Sequence, residues 1–266
     1  MKRIKLKIIP ILIFLFIVVF VISAGMFIYK SEVLRKEKTA FERLSTLVAN
    51  EKKQQSLPSE QAPTSSSETT MLPMHAYTPL YEENSDFFGW IAIDGTNINY
   101  PVMYSPDRPE YYLTHAFDKS ESISGTPFID KNCTDKGNIY VIYGHNMQDK
   151  TMFGQLPNYA EKHYFEEHPL IHFDTLYEQR EYQVIASFHS QIYDKDETNV
   201  FRYYEYTNLS DKSVFNEFME QVRAATIYDT GIQAVYGDEL LMLSTCSYHT
   251  ENGRFVLVAK RITNTK

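Results

Sequence analysis

Two cysteines, Cys133 and Cys246, are all that the 266 residues contain. That is too few for a disulfide scaffold, and neither belongs to a Cys-x-x-Cys pair or a His/Cys cluster, which argues against a structural zinc site. A single bridge between the two stays open. Carboxylates are plentiful, yet none has the Gly-rich or His-paired spacing of phosphate or metal chemistry, so neither a metal nor a cofactor is expected. No internal repeat is present. Positive charge runs short beyond the N-terminal region: through Asn50 there are 9 Lys and Arg against 3 Asp and Glu, and after it 17 against 31. The resulting balance of −14 argues against nucleic acid as a partner.

The N-terminal region holds one long apolar run. Residues 8–29 carry no charge and consist almost wholly of Ile, Leu, Phe and Val, long enough for a helix to cross a bilayer. A cleaved signal peptide is the competing reading, with Ser23-Ala24-Gly25 as its cleavage region, but the run exceeds a usual signal core and lacks an A-x-A pattern. Lys2, Arg3, Lys5 and Lys7 precede the run, and Lys30, Arg35, Lys36 and Lys38 follow it, diluted by Glu32 and Glu37. A short basic tail without acidic residues favours a cytoplasmic N-terminus. The expected layout is therefore a cytoplasmic tail over 1–7, a single-pass signal anchor over 8–29, and an extracellular remainder.

Residues 31–55 place apolar side chains at Val33, Leu34, Phe41, Leu44, Leu47 and Val48 among Lys and Glu, which predicts a juxtamembrane helix, most simply a solvated stalk without a partner. Residues 56–70 turn to Ser, Thr, Pro, Gln and Glu with no apolar period, as a flexible spacer does. Linker thus occupies 30–76 and one folded domain 77–266, enough chain for a single buried core. Within that domain, short apolar blocks separated by turn signals predict strands at 89–93 and 97–102, paired as a hairpin across Asp94-Gly95, and at 126–130, 138–143, 170–174, 181–191, 239–245 and 254–262. Helical pattern is confined to 151–164, broken by Pro157, and 212–225, where Val214, Phe215, Phe218, Met219 and Val222 form a core-facing stripe. The fold class is mostly β with peripheral helices, a barrel.

Three reactive side chains fall at predicted strand ends. Cys246 follows the apolar run Leu240-Leu241-Met242-Leu243, Arg254 opens the next strand after the Asn252-Gly253 turn, and His145 follows Ile139-Tyr140-Val141-Ile142-Tyr143. If the last two strands pair as antiparallel neighbours, Cys246 and Arg254 stand at one end of the sheet. A thiolate attacks, a histidine returns a proton to a leaving amine, and a fixed guanidinium steadies charge on a carbonyl oxygen. His249, three residues from Cys246, is the rival base, but catalytic geometry is set in space rather than by sequence spacing. Cys133, in the acidic loop Asp130-Lys131-Asn132-Cys133-Thr134-Asp135, is expected to be a bystander.

Leu243-Ser244-Thr245-Cys246, Asn252-Gly253-Arg254-Phe255-Val256 and Tyr143-Gly144-His145-Asn146 resemble the sortase signature, specifically class B. Gly89-Trp90-Ile91, Tyr100-Pro101-Val102, Tyr111-Tyr112-Leu113, Gly125-Thr126-Pro127-Phe128-Ile129-Asp130 and Met152-Phe153-Gly154 agree with it, so the similarity spans about residues 80 to 262. The resemblance implies an eight-stranded sortase barrel behind an N-terminal transmembrane helix. It implies a cysteine transpeptidase, a thiol protease by chemistry, that cleaves a C-terminal sorting motif of secreted proteins after Thr and forms a thioester on Cys246. The protein would then pass to a peptidoglycan precursor or other cell-wall amine of a Gram-positive bacterium. Cys246, His145 and Arg254 would be catalytic, with Leu113, Ser244 and Thr245 lining the peptide groove. The sequence departs from the family pattern at Pro109, where related chains often carry Asn. Two alternatives stand beside this reading. One is a pilin-polymerising sortase, although the Asp-Pro-aromatic lid common in that group is absent. The other is a non-catalytic, anchored peptide-binding module.

Overall fold

A computed structural model describes residues 2–55, 74, 76–134 and 136–263, with side chains from residue 9 onward and excluding 54 and 55. The predicted spacer lies outside the described residues. The chain divides into two compact units, Met1–Arg43 and Leu44–Lys266.

The first unit is the N-terminal part of helix α1 (Lys2–Gln55). Its apolar stretch is long and apolar enough to cross a membrane and is fully exposed, which makes it a candidate membrane anchor.

The second unit contains α2 (Thr78–Glu83), α3 (Lys162–Glu167), α4 (Lys212–Ala225) and eight strands: β1 (Phe87–Ala92), β2 (Asn99–Met103), β3 (Phe128–Ile129), β4 (Ile139–Tyr143), β5 (Leu170–Thr175), β6 (Glu181–Gln191), β7 (Leu240–Cys246) and β8 (Gly253–Arg261). The strands close into a barrel in the order β1-β2-β3-β4-β7-β8-β6-β5, the mostly β architecture with peripheral helices that the sequence predicts. β4 and β7 run parallel at its centre, and their apolar runs are continuous because both faces are covered: Ile139, Val141, Ile142 and Leu240 through Leu243 are wholly buried. β8 pairs antiparallel with both β7 and β6.

The expected hairpin forms as β1 and β2. The strand predicted at 126–130 shrinks to two residues, because Gly125 is left-handed and Thr126 donates its N–H to Tyr112 rather than to a ladder. The helix predicted at 151–164 resolves into a 3-10 turn at Leu156–Ala160, with Pro157 in its first turn, followed by α3. α4 occupies its predicted span. Asp211 caps it by accepting from the N–H groups of Ser213 and Val214, and Phe215, Phe218, Met219 and Val222 are buried, with Val214 at the edge of the stripe. The C-terminal end of α1 is not a stalk free of partners. Leu44 and Val48, one turn apart, are buried, and Lys52 pairs with Asp174 of β5 at 2.7 Å.

Candidate active site

Strand direction gathers the three reactive side chains. β4 and β7 are parallel, so both finish at one end of the barrel, and β8, antiparallel to β7, begins there. Cys246 and Arg254 are direct register partners, which puts them on one face with Cα atoms about 4.5–5.5 Å apart. Tyr143 pairs with Ser244, so His145 leaves β4 alongside the segment of β7 that ends in Cys246. β6 completes the row, with Ser190 opposite Arg254.

His145 is held by its own loop and by the turn at Tyr111–Leu113. Its Nε2 lies 2.8 Å from the Leu113 carbonyl oxygen, and its carbonyl accepts the N–H of Phe153 at 2.9 Å. Gly144 is small for a reason: a Cβ there would come within 2.7 Å of the Phe153 ring. Arg254 donates through Nη1 to the carbonyls of Asn252 and Gly253, at 3.2 and 2.9 Å, which ties its guanidinium to the turn it leaves.

Of the three groove residues expected from the motifs, Leu113 is 36% exposed at the end of the 3-10 turn Tyr111–Leu113, whereas Ser244 and Thr245 are only 1% and 2% exposed. Ser244 Oγ and Tyr203 OH share a hydrogen bond of 2.8 Å, and Thr245 donates to the Gly144 carbonyl at 2.7 Å. The loop carrying Pro109 packs through its neighbour: Arg108 lies 4.1 Å over the Tyr111 ring and pairs with Asp86 at 3.2 Å.

His249 faces another way from the thiol's partners. Its Nδ1 is 3.0 Å from Ser247 Oγ, and its ring centroid is 4.6 Å from that of His189 on β6. Both cysteines are free thiols. Cys246 is half-buried, while Cys133 is buried with its Sγ accepting the N–H of Val141, and its thiol is pushed up to about 12, first by burial and also by the nearby Asp130 charge. Burial thus outweighs the loop carboxylates that the sequence suggested.

Sequence reasoning passes over two groups. Asn146 donates its carboxamide N–H to the Cys246 carbonyl at 2.7 Å, and Tyr203 lies buried under Ser244, its hydroxyl pushed up to about 12 mainly by burial. Asn146 stands inside the Gly-His-Asn motif and is visible there as a polar residue beside His145. Tyr203, in the long β6–β7 connection, has no sequence signal that separates it from the 19 other tyrosines.

A closed eight-stranded barrel with a thiol, an imidazole and a guanidinium at adjoining strand ends defines a class of cysteine acyl-transfer enzyme. The Sortase domain family model matches residues 91–262, and the chain belongs to the sortase family. Within it the chain is a class B sortase, a cysteine transpeptidase. It is 30% identical over 190 residues to "Sortase B" of Listeria monocytogenes serovar 1/2a, across 69% of this chain and 73% of that protein. Among solved structures it resembles a Staphylococcus aureus sortase B–substrate complex, with a TM-score of 0.69, 24% identity, and coverage of 87% of this chain and 98% of that one. It also resembles a sortase B complexed with triglycine, with a TM-score of 0.72, 23% identity, and coverage of 87% and 99%.

Proposed function

We propose that this enzyme cleaves a sorting motif near the C-terminus of secreted proteins on the carboxyl side of Thr and transfers the new acyl end to a cell-wall amine. The Cys246 thiolate adds to the Thr carbonyl carbon, forming an S–C bond and an oxyanion. Arg254, fixed opposite Cys246, meets that oxyanion with its remaining N–H groups. The C–N bond then breaks as His145 gives a proton to the departing amine, leaving a thioester. An incoming amine adds to the thioester carbon, loses a proton to His145 and expels the thiolate. Leu113 borders the peptide groove, and Ser244 and Thr245 lie buried beside Cys246 on β7, their hydroxyls bonded to Tyr203 and Gly144.

One observation carries this reading: Cys246 and Arg254 face each other across β7 and β8, while His145 departs from the parallel neighbour β4. The solved S. aureus relative is a substrate complex, and another sortase B is complexed with triglycine, an amine-bearing ligand, which supports the acyl and acceptor sides of the proposal. Lys2, Arg3, Lys5 and Lys7 favour a cytoplasmic N-terminus, which would leave the barrel outside the cell, where such substrates are.

The test is intact-mass analysis of the domain incubated with a panel of sorting peptides, with and without amine. The expected result is an acyl adduct on Cys246 that an amine discharges to a peptide–amine conjugate, lost in Cys246→Ala and stalled in His145→Ala. Peptide binding that survives Cys246→Ala, with no adduct in the parent enzyme, would refute the reading, as would adduct formation that depends on His249 and not on His145.

A further inference from the structure

The last backbone rung between β4 and β7 is the bond from Gly144 N–H to the Ser244 carbonyl, at 3.2 Å. Beyond it the backbone ladder ends, and side chains continue the pairing. Thr245 Oγ1 donates to the Gly144 carbonyl, and Asn146 Nδ2 donates to the Cys246 carbonyl, both at 2.7 Å. On its other side, the same peptide unit donates the Ser247 N–H to the Gly253 carbonyl at 2.9 Å. The Cys246–Ser247 peptide is therefore gripped at both ends. One grip comes from the residue next to His145, the other from the residue next to Arg254.

We propose that Asn146 is a positioning residue for transpeptidation: its carboxamide sets the offset between the His145 loop and the peptide that carries the Cys246 thiol. This rests on the functional reading above. The carboxamide is not what holds the loop on the barrel, because the Gly144–Ser244 rung, the Phe153 N–H to His145 carbonyl bond and the bridge between Asn146 and Met152 do that through the backbone. The Leu113 carbonyl meets the His145 ring, and past Thr245 the hydrogen bond between the His145 loop and the peptide of Cys246, among the described residues, comes from the Asn146 side chain. Proton transfer and attack both depend steeply on the placement of His145 against Cys246, since an error near 1 Å costs about 10²-fold.

The experiment compares the parent enzyme with Asn146→Leu, which keeps the size and removes the donor, and Asn146→Asp, which keeps the shape and replaces the donor with an acceptor-only carboxylate. With a sorting peptide and an amine at about pH 7.5, both variants are expected to lose about 10- to 100-fold in kcat, with KM changed by no more than about 2-fold. The introduced carboxyl regains a donor when protonated. The ratio of Asn146→Asp to parent activity, measured at each pH, therefore rises between about pH 7.5 and about pH 5, by about 2-fold if the loss at pH 7.5 is about 10-fold and by about 8-fold if it is about 100-fold, while the Asn146→Leu ratio stays flat. A purely structural role would not produce that divergence.

Parent-like kcat in either variant, an effect on KM alone, a loss that tracks the unfolded fraction by circular dichroism, or parallel pH ratios for the two variants would each overturn the proposal. If the parent forms no thioester on Cys246, the functional reading fails. If the parent is active and the variants match it, only the role of Asn146 fails.

Discussion

Replacing Gly125 with alanine should cost both stability and turnover, and the two losses have separable causes. Gly125 has a φ of +58°, where an L side chain costs about 1–2 kcal/mol. Its Cβ would also lie 2.6 Å from the carbonyl oxygens of both Tyr112 and Leu113. These are backbone atoms, so the turn itself must shift. The Tyr112 carbonyl accepts the Thr126 N–H at 2.8 Å, and the Leu113 carbonyl is the partner of His145 Nε2 at 2.8 Å. Loosening either bond adds about 0.5–1.5 kcal/mol. The sum is about 1.5–3.5 kcal/mol, or about 3–14 °C in Tm for a domain of this size. Gly231 supplies the control, with φ +76° and no atom within 4 Å of where a Cβ would stand. Gly231→Ala should lose only the conformational part, about 2–8 °C, with kcat intact. Thermal melts and amine-dependent peptide transfer measure the two effects. Gly125→Ala should fall further in Tm and lose about 10-fold or more in kcat as His145 loses its bearing. Equal Tm losses together with parent-like kcat in Gly125→Ala would refute the reasoning.

Asp174 is nearly buried and accepts from the Tyr77 hydroxyl and from Lys52, both at 2.7 Å. Tyr77 is wholly buried, and burial first, then the Asp174 charge, push its hydroxyl well above the usual tyrosine range. Asp174→Ala leaves that hydroxyl unsatisfied and should cost about 1–3 kcal/mol, read as a lower urea midpoint at unchanged slope; an unmoved midpoint would count against it. His189 is held below the ordinary histidine range, first by burial and then by His249. Its folded form therefore takes up a proton less readily than the unfolded chain, so stability declines as pH falls below about 6.5. His189→Gln should flatten the Tm profile between about pH 7.5 and about pH 5, and an unaltered slope would sink the attribution.

The elements most legible in the sequence are those whose neighbours impose a repeating pattern. α4 occupies its predicted span because it carries an apolar stripe opened by an Asp cap, and β6 because its ends alternate on either side of the unbroken buried run from Val184 to Phe188. β4 and β7 can be found as uninterrupted apolar runs, but nothing in either run says that they are parallel partners about a hundred residues apart. β3 is shorter than its pattern suggests because Gly125 looks like any other turn glycine until the carbonyls around it are known. In the site, residue types at strand ends are readable, while the bonds that orient them are not. The Leu113 group that meets His145 is a backbone carbonyl, which every residue possesses. Ser244 and Thr245 stand where a motif suggests a groove, yet their hydroxyls are turned to Tyr203 and Gly144, partners set by tertiary packing alone.

The parallel pairing of β4 with β7 also dictates an order of events during biogenesis. As the chain emerges N-terminus first, β4 is made about a hundred residues before the strand that covers its free edge. Until β7 arrives, that edge offers unpaired N–H and C=O groups to any passing strand, and pairing at such sequence separation is slow. The strand ends that carry Cys246 and His145 become neighbours only when that seam shuts. On the proposed mechanism, completion of the barrel and the onset of reactivity are thus a single step, and a nascent or truncated chain that lacks its last two strands lacks Cys246 and Arg254 as well.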